Sequence, residues 1–143
     1  MSSIVYIMCS VLQGSVLSPR LFILYSADLA DIAEKHGVTF HSFADDTQLY
    51  LHCIRDDTSR ITVRVAHCIA DINHWMLANR LKLNTNKTEL LWAGTKNCLS
   101  LYDGSFPCLQ LGADIVLPIQ HVQLLGVVIL SDLSLEKHVS RVR

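Results

Sequence analysis

Proline and glycine are sparse in this 143-residue chain, three and six residues respectively, and only 17% of residues are charged. Half of the residues are hydrophobic, so the composition is that of a globular chain with one core and lies far from the disordered class. No apolar run approaches the ~20 residues that a membrane helix requires, so no membrane partner is expected. The start, Met1-Ser2-Ser3-Ile4-Val5-Tyr6-Ile7-Met8, has no basic flank and only a short apolar stretch. That argues against a secretory signal and for an intracellular protein, nuclear or cytoplasmic. It reads better as a strand entered from upstream sequence. The cysteines Cys9, Cys53, Cys68, Cys98 and Cys108 are odd in number and none is spaced CxxC, so no disulfide partner is expected. His67, Cys68 and His74 fall on one expected helix with no second cluster of matching spacing, which argues against zinc.

Charge is unevenly placed although the net value is only −1. Residues 1–57 hold three basic and seven acidic side chains, whereas residues 58–143 hold nine and six. An acidic half beside a basic half suits a cation site next to a phosphate-binding surface, though ordinary surface variation produces such asymmetry too.

The chain alternates helical and strand patterns. Ser18-Pro19 has the form of a helix start, and Phe22, Tyr25, Leu29 and Ile32 follow at helical spacing. The spacing predicts a helix over 19–35, closed by Gly37. Val38 to Ala44 and Thr47 to Cys53 are rich in β-branched and aromatic residues, and they predict a hairpin broken at Asp45-Asp46. Ile61, Val65, Cys68, Ile69, Ile72, Trp75 and Met76 form one apolar stripe and predict an amphipathic helix over 58–79, with Asp56-Asp57-Thr58 as its cap. A short strand is expected over 89–93, a hairpin around Gly112-Ala113-Asp114, one buried strand over 122–130 carrying Gly126, and a last helix capped by Ser134. This order predicts an α+β fold with helices on one face of an antiparallel sheet.

The break in the first hairpin departs from turn chemistry. Neither Asp45 nor Asp46 is glycine, so the aspartates have a reason to be there other than the turn. Two neighbouring carboxylates repel unless a cation lies between them. Mg²⁺ suits that task, because it takes hard oxygen ligands and is held by one or two carboxylates plus substrate phosphates.

Four segments in order raise this reading above that of a lone carboxylate pair. Phe43-Ala44-Asp45-Asp46 resembles the aromatic-x-Asp-Asp signature of reverse transcriptases. Gln13-Gly14-Ser15-Val16-Leu17-Ser18-Pro19, with the helix after it, resembles the family's PQGS-type loop. Leu81-Lys82-Leu83-Asn84-Thr85-Asn86-Lys87-Thr88-Glu89 resembles the LxLNxxKTE segment of the LINE type, the non-LTR retrotransposons. Leu124-Leu125-Gly126-Val127 resembles the segment that precedes the thumb. The resemblance implies a partial polymerase palm over 1–133, the start of a thumb helix over 134–143, and no fingers. It implies Asp45 and Asp46 as catalytic ligands of Mg²⁺ or Mn²⁺. Gln13, Gly14 and Ser15 would lie by the template base and incoming nucleotide, Phe43, Leu125 and Gly126 on the primer side, and Lys87 by the leaving pyrophosphate. The partners it implies are an RNA template, a DNA primer and deoxynucleotides.

Glycine before a helix start lets backbone approach an anion closely, which suits the Gln13-Gly14 loop, although a turn alone also needs a glycine. A strand phenylalanine is often plain core, and a lysine before a strand is often a solvated charge. The sequence also departs from the family. Its first aspartate-bearing motif has no match among the residues before Gln13, Leu12 stands where proline is usual, and Arg20 stands where an apolar residue is usual. Two-metal phosphoryl transfer needs ligands that clamp cations ~3.5–4 Å apart, so a missing carboxylate weakens the second site. The rival readings are a catalytically dead relic or co-opted binding module of palm-like shape, and an α+β interaction domain unrelated to polymerases. The expected outcome for the purified chain is no primer extension with Mg²⁺ or Mn²⁺. Template-directed extension that disappears in Asp45→Asn would contradict it.

Overall fold

A computed structural model describes residues 16–44, 46–100 and 106–142. Its longest element is the helix α3, Thr58–Ala78, after the short helices α1, Ser18–Tyr25, and α2, Asp28–Lys35. The strands β1, Thr39–Phe43, and β2, Asp46–Tyr50, form a hairpin between α2 and α3. After α3 come β3, Leu90–Leu91, the short helix α4, Lys96–Ser100, and β4, Leu109–Leu111, paired with β5, Asp114–Val116. The strand β6, Pro118–Ile119, then runs parallel to β3. A second hairpin, β7, His121–Leu124, and β8, Val127–Leu130, leads to α5, Glu136–Val142, which packs on β8. The fold is α+β. The strands form four separate two-stranded pairs, one of them parallel, where the pattern predicted one antiparallel sheet.

The apolar stripe of α3 organises two clusters. On one side Cys68 and Ile72 meet Leu29 and Ala33 of α2 and Val38, with Phe40, Leu49, Leu51, Trp75 and Met76 around them. On the other, Ile69 meets Leu109 and Leu111, with Leu49, Val65, Leu83 and Leu90 at the edge. Burying an apolar side chain of this size contributes about 1.5–3 kcal/mol, so this stripe outweighs any single surface pair.

Polar contacts tie α2 to α3 at its C-terminal end. Gly37 adopts φ +59°, and the N–H of Val38 donates to the Ala33 carbonyl at 2.9 Å, closing the helix with a left-handed glycine. Arg64 of α3 donates to the exposed carbonyl of His36, where the helix dipole favours a cation. His36 also meets Asp71 at 2.8 Å. A Cβ at position 37 would collide with the Arg64 guanidinium.

Several expectations need correction. The helix predicted over 19–35 is broken at Ser26-Ala27. Buried Ser26 returns its hydroxyl to the Phe22 carbonyl at 2.8 Å and its N–H to the same oxygen at 2.9 Å. Leu17, not Ser18, occupies the cap position of α1, and no side chain caps α1 or α3. The strand predicted over 89–93 is only two residues long. The single strand predicted over 122–130 is a hairpin, because Leu125 and Gly126 take positive φ values of 47° and 84° and turn the chain back.

Cys68 is fully buried, whereas Cys53, Cys98 and Cys108 are exposed. Burial, with Asp71 adding to it, pushes the Cys68 thiol from the ordinary 9.0 up to about 11. The folded state therefore holds this proton where the unfolded chain releases it. Its contribution to stability is complete below pH 9 and lost as pH rises from there through 11. At pH 8 an alkylating reagent is expected to label Cys53, Cys98 and Cys108 quickly, and Cys68 only on global unfolding. Mass spectrometry of pulse-labelled protein checks this, and fast Cys68 labelling in the native fold would contradict the packing.

Candidate functional site

The β1–β2 hairpin is the element that carries the carboxylate pair. Its register pairs Phe43 with Asp46, Ser42 with Thr47 and Thr39 with Tyr50. Asp46, expected in the break between the strands, is instead the first residue of β2. Ala44 adopts φ +55°, a left-handed conformation that costs an L-residue roughly 1–2 kcal/mol. The Ser42 hydroxyl donates to the Ala44 carbonyl at 3.0 Å, which holds the turn in this form.

Alternation along the strands gives the hairpin two unlike faces. Phe40, Leu49 and Leu51 turn into the cluster beneath α2 and α3. Asp46 and Phe43 are exposed on the other side, Phe43 at 64% of its full accessibility. The same side carries His41 and Tyr50, which share a hydrogen bond at 2.9 Å between Tyr50 Oη and His41 Nε2. His52 follows, its ring centroid 6.4 Å from that of Tyr50.

The other candidate residues lie elsewhere. Lys87 ends the 3₁₀ turn Thr85–Lys87 and is exposed, with its N–H donated to the Asn84 carbonyl at 3.1 Å. Leu125 and Gly126 form the β7–β8 turn, and Leu125 is 56% exposed. Among the described residues, no hydrogen bond or ion pair joins Lys87 or the Leu125-Gly126 turn to the β1–β2 hairpin. Gln13, Gly14, Ser15 and Asp45 lie outside the described residues.

Asp46 presents hard oxygen donors to solvent, with Asp45 next to it in the chain, and that chemistry fits a divalent cation that is completed by substrate phosphates. Among the described residues, no three His, Cys, Asp or Glu side chains group so as to hold a metal ion without such help. Sequence reasoning missed His41, Tyr50 and His52. The signal was available in the period-two pattern, because each alternates with a residue that faces the core.

The comparisons with known proteins point in one direction. The family model described as reverse transcriptase (RNA-dependent DNA polymerase) matches residues 2–129. No curated protein and no solved structure matches the chain. Among the described residues, no helix is long and apolar enough to cross a membrane.

The strained turn yields a stability test. Ala44→Gly is expected to keep or raise the melting temperature, with a gain of no more than about 1 kcal/mol. Ala44→Val is expected to lower it, because a β-branched residue tolerates positive φ poorly. Thermal unfolding followed by circular dichroism decides. Equal melting temperatures for the two variants would mean that residue 44 is not left-handed.

Proposed function

The chain belongs to the reverse transcriptase (RNA-dependent DNA polymerase) family, and from that premise we propose that it is palm sequence of a LINE-type retrotransposon polymerase. The reaction is template-directed nucleotidyl transfer. A primer 3′-hydroxyl attacks the α-phosphate of a deoxynucleotide, a new P–O bond forms, and the bond to pyrophosphate breaks. The observation that carries the site assignment is the exposure of Asp46 at the end of a hairpin whose other face is committed to the core.

Asp45 and Asp46 would hold Mg²⁺ or Mn²⁺. When bound, the cation supplies positive charge that offsets the phosphates and makes an oxygen a better nucleophile. The chain's own residues orient the rest. Gln13, Gly14 and Ser15 would lie by the template base and the incoming nucleotide, since a glycine-bearing loop before a helix start suits an anion. Phe43 packs by the primer terminus, and the Leu125-Gly126 turn supports the primer further back. Lys87 neutralises or protonates the leaving pyrophosphate. The RNA template and DNA primer are the macromolecular partners.

The roles of Asp45 and Lys87 differ in kind. A carboxylate ligand is needed throughout the reaction, whereas a general acid typically contributes ~10²–10⁴-fold. The assay is single-nucleotide incorporation on a primed RNA template, with the chain joined to an aspartate-bearing segment ahead of residue 1 and to a full thumb. Asp45→Asn is expected to abolish incorporation and Lys87→Ala only to slow it, both in variants with native circular dichroism. If Asp45→Asn retains more activity than Lys87→Ala, the hairpin is not the metal site, and a binding module of palm-like shape becomes the better reading.

A further inference from the structure

Ser42 bears on the carboxylates from the opposite side of the hairpin. Alternation along β1 puts Ser42 on the side of Phe40, whereas His41 and Phe43 share the other side. The register pairs Ser42 with Thr47 and Phe43 with Asp46, so Asp46 stands with Phe43 and away from Ser42. The Ser42 hydroxyl is therefore badly placed to ligate a cation held by Asp46. What it reaches is backbone, the Ala44 carbonyl at 3.0 Å. Ala44 is also the one described residue from Thr39 to Tyr50 with a positive φ.

At φ +55° an L-residue carries strain of the size that one hydrogen bond can offset. Hairpin register follows from the conformation of the residues between the strands. With Ala44 left-handed, Asp46 enters β2 opposite Phe43. A slip by one residue would turn Asp46 to the side of Ser42 and Phe40. We propose that Ser42 is a positioning residue for the carboxylate site: its hydroxyl holds Ala44 left-handed and so fixes the face on which Asp46 stands. The proposal rests on the reading of Asp45 and Asp46 as cation ligands. It also gives a reason for alanine where glycine would take the same φ without strain. Glycine would leave the chain free to sample other conformations, whereas a pinned alanine holds the carboxylate in one place.

The test uses the full chain and two readings. Mn²⁺ is titrated with a deoxynucleoside triphosphate present, and its affinity is read from broadening of the amide signals from Phe43 to Thr47. Without metal, the NOE between the amide and α protons of Ala44 reports φ, because a positive φ brings these protons together. Ser42→Ala is expected to weaken Mn²⁺ binding roughly 2- to 12-fold and to weaken that NOE. Ser42→Thr keeps the hydroxyl and is expected to stay within about twofold of the native chain. Ser42→Val, which has the shape of threonine and suits a strand, repeats the loss if Ser42→Ala does not fold. Combining Ser42→Ala with Ala44→Gly is expected to restore affinity, because glycine takes a positive φ without help. A loss that Ala44→Gly does not relieve overturns the proposal, as does native affinity or a native Ala44 NOE in the variants that lack the hydroxyl. The two readings also separate the failures. Native broadening with no effect of Ser42→Ala overturns the positioning role alone, whereas tip signals that stay sharp in the native chain overturn the carboxylate reading and the proposal with it.

Discussion

Both buried clusters of the described residues are built on the apolar stripe of α3. Ile61, Cys68, Ile69 and Ile72 are buried along it; Cys68 and Ile72 join one cluster and Ile69 the other. The helix is amphipathic over 21 residues, long enough that α2 and the first hairpin pack on one flank while the β4 strand packs on the other. The strand pairs are too short to be stable alone, since a two-stranded hairpin is marginal in water without packing. Their apolar sides must be held by a helix: α3 holds the β1–β2 and β4–β5 pairs, and α5 packs on β8.

This constraint determines what the first hairpin can display. Once Phe40, Leu49 and Leu51 are committed to the cluster, strand alternation forces their neighbours outward. The outward set is chemically unlike the inward set: imidazole, phenol and phenyl rings end at a carboxylate. The Ser42 hydroxyl and the left-handed Ala44 then fix the tip. A turn that tolerates positive φ in alanine stores strain where glycine would have avoided it, and such strain clusters at functional sites. The chemistry proposed for that tip is phosphoryl transfer at paired carboxylates.

Some of this was legible in the residues and some was not. The stripe from Ile61 to Met76 predicted a helix over 58–79, and the observed helix ends one residue earlier. The two β-branched and aromatic runs predicted the hairpin, because apolar alternation and length leave few other options. What failed were points decided by single backbone conformations. Nothing in the helical spacing of Phe22, Tyr25, Leu29 and Ile32 reveals that the chain breaks at Ser26, where the hydroxyl turns back to the Phe22 carbonyl and the neighbouring Tyr25 donates to the Asn79 carbonyl at the end of α3. The run from Val122 to Leu130 is apolar apart from Gln123 and Gly126, so the dihedral angles of Leu125 and Gly126 are what separate one strand from a hairpin. Likewise Asp46 joined β2 because position 44 accepts a left-handed conformation that sequence preference disfavours.

The central proposal is that Asp45 and Asp46, in the hairpin that α3 supports, together bind a divalent cation. The most direct measurement is paramagnetic broadening of backbone amide signals by substoichiometric Mn²⁺ in the 143-residue chain, with deoxynucleotide present. The account predicts that broadening is strongest from Phe43 to Thr47 and disappears there when Asp45 and Asp46 are both changed to Asn. Broadening centred on any other segment, or unchanged in the doubly substituted chain, would contradict it.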